Sequence, residues 1–120
     1  MTQENKELLL KDLCARLPYE VKYMDILNPD EHPSTLQSID NCGLVMANDG
    51  FSHEIENVKP YLFPMSSMTE EQRNEFHELL YGPEYGIDID YFDWCHKNKL
   101  DCRRLIPKGL AIDATGLNIY

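Results

Sequence analysis

Asn48-Asp49-Gly50 stands between two strand-like runs, residues 43–47 and 51–55. A glycine at that point supplies the positive φ that a tight, bulged hairpin requires. The turn commits the middle of the chain to antiparallel pairing, and the residue period before it agrees. Val21 and Tyr23 alternate with Glu20 and Lys22, as in a half-buried strand. Residues 36–39 form a weaker strand, and residues 28–34 are dense in turn formers and read as loop. Residues 19–55 therefore predict a meander of three or four strands.

Helical period surrounds this region. Leu9, Leu10, Leu13 and Leu17 follow one apolar face, with Thr2 or Asn5 as cap and Pro18 as terminator. Lys6, Lys11, Asp12 and Arg16 are assigned to the wet side. Pro60 and Pro64 bracket Tyr61, Leu62 and Phe63, which reads as an extended connector rather than a central strand. Thr69 and Gln72 have the capping-box spacing, so a second helix runs over residues 70–80 and buries Phe76, Leu79 and Leu80. Asp88 or Asp90 caps a third helix over residues 91–98. Pro107 and Gly109 break the apolar tail, which wraps the third helix and inserts Leu105, Ile106, Leu110 and Ile112. Residues 113–120 are expected to be mobile. The fold class is α+β, one domain over residues 1–120. The alternative is a small SH3-like barrel with a helical extension.

Three blocks carry a resemblance. Leu8-Leu9-Leu10-Lys11-Asp12-Leu13-Cys14-Ala15-Arg16-Leu17-Pro18-Tyr19 is the first, and the stretch from Val58-Lys59-Pro60-Tyr61-Leu62-Phe63-Pro64 to Gln72 is the second. Asp93-Trp94, followed by the stretch from Leu105-Ile106-Pro107-Lys108-Gly109 to Asp113, is the third. Together they resemble a family of short uncharacterised proteins from gut Bacteroidales genomes and their phages. The resemblance implies an accessory protein of commensal or mobile-element origin. It implies no activity.

The chain holds 21 acidic against 11 basic residues, a net charge of −10. Nucleic-acid affinity rests on Lys and Arg neutralising phosphates, so nucleic acid is not an expected partner. Anionic membranes are disfavoured for the same reason. The longest apolar run is residues 43–47, far short of the roughly 20 residues of a spanning helix. Residues 1–12 lack a basic start followed by an apolar stretch, so no secretory signal is read there. A cytoplasmic location and four reduced cysteines, packed mostly as small hydrophobes, are expected.

Charge also switches sign along the chain. Residues 70–93 hold eight acids against Arg73, net −7, and residues 97–108 hold five bases against Asp101, net +4. Glu84, Asp88, Asp90, Asp93, Lys97, Lys99, Arg103, Arg104 and Lys108 form a candidate docking surface for a protein partner, because complementary charge speeds encounter and sets register. The bland account of the same residues is that they complement helix ends.

No catalytic, cofactor or metal residues are assigned. Structural zinc sites show close cysteine pairs, whereas no two cysteines here are closer than Cys95 and Cys102. Neither a nucleophile elbow nor a glycine-rich phosphate loop is present. The expectation is a small, acidic, non-enzymatic protein-binding module. Two alternatives stand beside it: a small enzyme using a Cys–His pair or the Asp88, Asp90 and Asp93 cluster, and an acidic DNA-mimic inhibitor. A concave pocket holding a thiol beside an imidazole would favour the enzyme.

Overall fold

The computed structural model describes residues 1–81 and 91–120. Helix α1 spans Gln3–Arg16, and the Thr2 side chain caps it by accepting the Asn5 N–H. The α-helix ends at Arg16, just ahead of Pro18 as expected, and Leu17–Tyr19 follow as a 3-10 turn. Six strands follow: β1 (Lys22–Asp25), β2 (Ser34–Ile39), β3 (Leu44–Ala47), β4 (Ser52–Glu54), β5 (Val58–Leu62) and β6 (Ile112–Asp113). Helix α2 spans Glu70–Tyr81 and α3 spans Tyr91–Lys97.

The strands form one open sheet in the order β4-β3-β2-β1-β5-β6. The α+β class holds, but the sheet has six strands, not three or four. It ends in two edges and is no barrel. All pairings are antiparallel except β5 with β6. The predicted hairpin joins β3 to β4, with Gly50 at φ 93° and the Phe51 N–H bonded to the Asp49 carboxylate at 3.0 Å. Thr69 and Gln72 form the full reciprocal capping box at the start of α2, at 3.0 and 3.1 Å.

The connector expected at residues 59–63 is instead the buried strand β5, between β1 and β6. Pro60 is tolerated there for a local reason. The Ile26 N–H bonds the Asn57 carbonyl at 2.8 Å, so the alternation of the antiparallel ladder leaves Tyr23 opposite Pro60 as a non-hydrogen-bonded pair. The nitrogen of Pro60 then faces away from β1, and β6 pairs only with Tyr61 and Leu62. The missing N–H removes no ladder bond.

Beyond Tyr23 and Pro60 the β1–β5 ladder opens. The Tyr120 hydroxyl fills the gap, accepting the Lys22 N–H at 2.8 Å and donating to the Tyr61 carbonyl at 2.8 Å. The end of the chain, expected to be mobile, is thus tied to two strands.

Leu9 and Leu13 of α1 pack with Val21, just ahead of β1, and with the inward residues of the sheet, Tyr23, Leu36, Val45 and Val58. Leu105 and Leu110 of the tail join this same core rather than only covering α3. No helix among the described residues is long and apolar enough to cross a membrane.

Candidate functional site

Asp12 and Arg16, assigned by sequence to the wet side of α1, are both 0% exposed. They occupy the buried stripe itself: Leu9, Asp12, Leu13 and Arg16 follow the i, i+3, i+4, i+7 spacing of an inward face. Two opposite charges inside an apolar stripe must meet partners, because an unpaired buried charge is costly. Arg16 supplies them bidentately, Nε to Asp12 Oδ2 at 2.7 Å and Nη2 to Oδ1 at 3.1 Å. Its Nη2 also donates to the Leu100 carbonyl at 2.7 Å, while Nη1 is buried with no hydrogen-bond partner among the described residues.

Asp12 collects a second guanidinium from far along the chain. Arg103 Nη1 donates to Asp12 Oδ1 at 2.8 Å and to His96 Nε2 at 2.7 Å, and lies 3.8 Å from Cys102 Sγ. Its guanidinium stacks over the Phe92 ring at 4.9 Å. His96 is buried. An Asp12 oxygen, a His96 ring nitrogen and Cys102 Sγ all lie within 4.8 Å of one another. In type and spread these three could ligate a transition metal. The space among them is already held by a cation, Arg103 Nη1, and both Asp12 oxygens are engaged by guanidinium. The arrangement fits an anion better than a further cation.

Two turns bring Cys102 to this place. The Lys99 N–H bonds the His96 carbonyl at 3.1 Å and the Leu100 N–H bonds the Cys95 carbonyl at 2.9 Å. That is a Schellman ending of α3, with Lys99 at φ 58° where glycine is usual. It reverses the chain and returns Cys102 toward α3. Asp101, also buried, then accepts the Leu105 N–H at 2.7 Å and the Ile106 N–H at 2.9 Å, fixing the stretch between. Phe63 and Leu100 form a parallel bridge that fastens this loop to the end of β5.

Cys102 is half-buried and lines two open clefts. One, of about 500 Å³, is bounded by Pro64, Met65, Asp101, Arg104, Ile106 and Pro107. The other, of about 680 Å³, is bounded by Lys11, Phe92, His96 and Arg103 among others. A hydrogen bond with Cys95 holds the Cys102 thiol down at about 5, against burial, with further help from His96 and the Arg16 charge. The charge balance points the same way. Two guanidiniums face one carboxylate, and a thiolate neutralises the second. Thiols were expected mostly as core packing, yet only Cys95 is buried, while Cys14 and Cys42 are exposed.

Six of the nine predicted docking residues are among the described residues. Glu84, Asp88 and Asp90 lie outside the described residues, so of the acidic cluster only Asp93 is placed. Its carboxylate accepts the Tyr19 hydroxyl. Arg103 turns inward. Lys99 is half-buried, with Nζ 5.5 Å from the Tyr120 ring centroid, and desolvation lowers its pKa. Lys97, Arg104 and Lys108 are exposed.

A second polar chain links Tyr23, His53 and Asp25. The Tyr23 hydroxyl is 2.9 Å from His53 Nδ1, and His53 Nε2 is 3.5 Å from Asp25 Oδ2. Burial pushes the Tyr23 hydroxyl up to about 12, and the chain gives a core tyrosine its hydrogen-bond partner.

Comparison with protein-family models, curated proteins and solved structures returned no match.

Proposed function

We propose that the protein acts through Cys102 as a nucleophilic thiolate, a small enzyme built on a Cys–His pair. The observation that carries this reading is Arg103 Nη1, placed at once against Asp12, His96 and Cys102. Reactive cysteines sit in electropositive, partly exposed surroundings, whereas structural ones are buried and inert. Cys102 meets both conditions, and the feature that separates enzyme from binder, a thiol beside an imidazole in a concave surface, is supported by the one cleft it lines together with His96. The low thiol pKa agrees.

His96 is not poised as a general base toward the thiol, because its Nε2 lone pair accepts from Arg103. The thiolate is instead stabilised by its surroundings, so it needs no proton removed at the moment of attack. The protein-binding reading draws on Lys97, Arg104 and Lys108, and without Arg103 it has fewer charges than the sequence suggested.

The test is competitive alkylation with a limiting amount of iodoacetamide at about pH 6, where an ordinary thiol is almost fully protonated. Peptide mapping should find Cys102 modified first, ahead of the more exposed Cys14 and Cys42. Modification in order of exposure would refute the proposal.

A further inference from the structure

We propose that Cys95 and Cys102 form a reversible dithiol–disulfide couple, in which a hydroperoxide oxidises Cys102 and Cys95 resolves the product. This rests on Cys102 being the nucleophile. The sequence separates the two thiols by seven positions, too far for a local motif. The Schellman turn at Lys99 removes that distance. Cys95 contributes the carbonyl that closes the turn onto Leu100, and Cys102 follows two residues later, hydrogen-bonded to the Cys95 thiol.

Their exposures divide the labour. Cys102 borders two open clefts that a small molecule can enter, with the Arg103 cation beside the sulfur. Cys95 is 0% exposed. It has no route to a solvent electrophile, but Cys102 lies within its reach. A low-pKa, accessible thiol next to a resolving thiol is the arrangement that redox-sensing cysteines use.

The chemistry balances as follows. The Cys102 thiolate attacks one oxygen of the hydroperoxide; an S–O bond forms and the O–O bond breaks. The sulfur is oxidised by two electrons to a sulfenic acid, and the alkoxide or hydroxide that leaves takes a proton from solvent. The Cys95 sulfur then attacks the sulfenic sulfur. An S–S bond forms, the S–O bond breaks, and the departing hydroxide leaves as water with the Cys95 proton. A low-molecular-weight dithiol restores both thiols by exchange. Capture as a disulfide also keeps Cys102 from the irreversible sulfinic and sulfonic acids.

The experiment treats the full chain with one equivalent of hydrogen peroxide, then blocks free thiols and maps peptides without reduction. The expected result is a peptide pair linked through Cys95 and Cys102, a fall from four free thiols to two, and full recovery with dithiothreitol. In Cys95→Ala the first step should slow, because the hydrogen bond that holds the Cys102 thiol down is lost, and the reaction should stop at a Cys102 sulfenic acid that dimedone captures. The wild-type mapping decides the matter even if that variant folds poorly. Dimedone capture of Cys102 in the wild-type protein, with no linked peptide, would overturn the couple and leave the nucleophile standing. Failure of Cys102 to react ahead of Cys14 and Cys42 would overturn the couple, and failure in the iodoacetamide competition as well would remove the nucleophile with it.

Discussion

Arg103 Nη1 lies 2.7 Å from His96 Nε2. A guanidinium can only donate, so Nε2 accepts and the ring proton sits on Nδ1. One contact thus sets the tautomer of a buried imidazole and places a cation beside Cys102. Arg103→Ala strips a charge-assisted partner from buried Asp12 and should cost about 1.5–3 kcal/mol in urea unfolding. Arg103→Lys should restore part of it, because one ammonium nitrogen can donate to both Asp12 and His96 as Nη1 does, while the planar stack over Phe92 is lost. Equal stability of all three proteins would contradict the account.

The Asp12–Arg16 pair should behave as a buried ion pair, not as surface charge. Asp12→Ala leaves two guanidiniums facing no carboxylate and should cost about 3–5 kcal/mol. Asp12→Leu combined with Arg16→Met should cost less than Asp12→Ala alone, since it strands one guanidinium, that of Arg103, where Asp12→Ala strands two, and it also removes the unpartnered Nη1. Urea midpoints of the three variants check this. A loss below about 1 kcal/mol for Asp12→Ala would place the pair at the surface.

Tyr120→Phe deletes the hydroxyl between Lys22 and Tyr61. The loss should be about 1 kcal/mol, with faster hydrogen exchange at the Lys22 amide. Tyr120 as a residue is 44% exposed, but its hydroxyl lies between the strands, and burial raises it to about 12 from 10.0. The folded value lies above the unfolded one. The contribution is therefore complete below pH 10 and declines toward pH 12, a decline that Tyr120→Phe should lack.

Gly50→Val should cost about 1–2 kcal/mol, read from the thermal midpoint. A Cβ at Gly50 would meet nothing within 4 Å, so the penalty is conformational, from φ 93°, and not steric crowding. Gly50→Asn should recover part of it, because asparagine tolerates the left-handed region better.

Legibility in the sequence followed the range of the interactions. The hairpin at Asn48-Asp49-Gly50 and the capping box of Thr69 and Gln72 are decided within a few residues, and both were readable. Pro60 misled because its tolerance depends on register with Tyr23 and on how short β6 is, neither of which is local. The Asp12–Arg16 pair did carry a signal, since it falls on the i, i+3, i+4, i+7 stripe with Leu9 and Leu13. Ranking residues by polarity alone hid it. The site itself was not legible. Asp12 meets Arg103 across 91 positions, and Cys102 reaches Cys95 only through a left-handed lysine where sequence rules look for glycine.

The central claim concerns the ionisation of one thiol, and ultraviolet thiolate absorbance measures it directly. The difference between wild type and Cys102→Ser, titrated upward from acid, isolates Cys102 from the other three cysteines. A thiolate favoured by the fold titrates below its ordinary value, so the absorbance should appear with a midpoint near 5. A midpoint near 9.0, the value of an unperturbed thiol, would contradict the account.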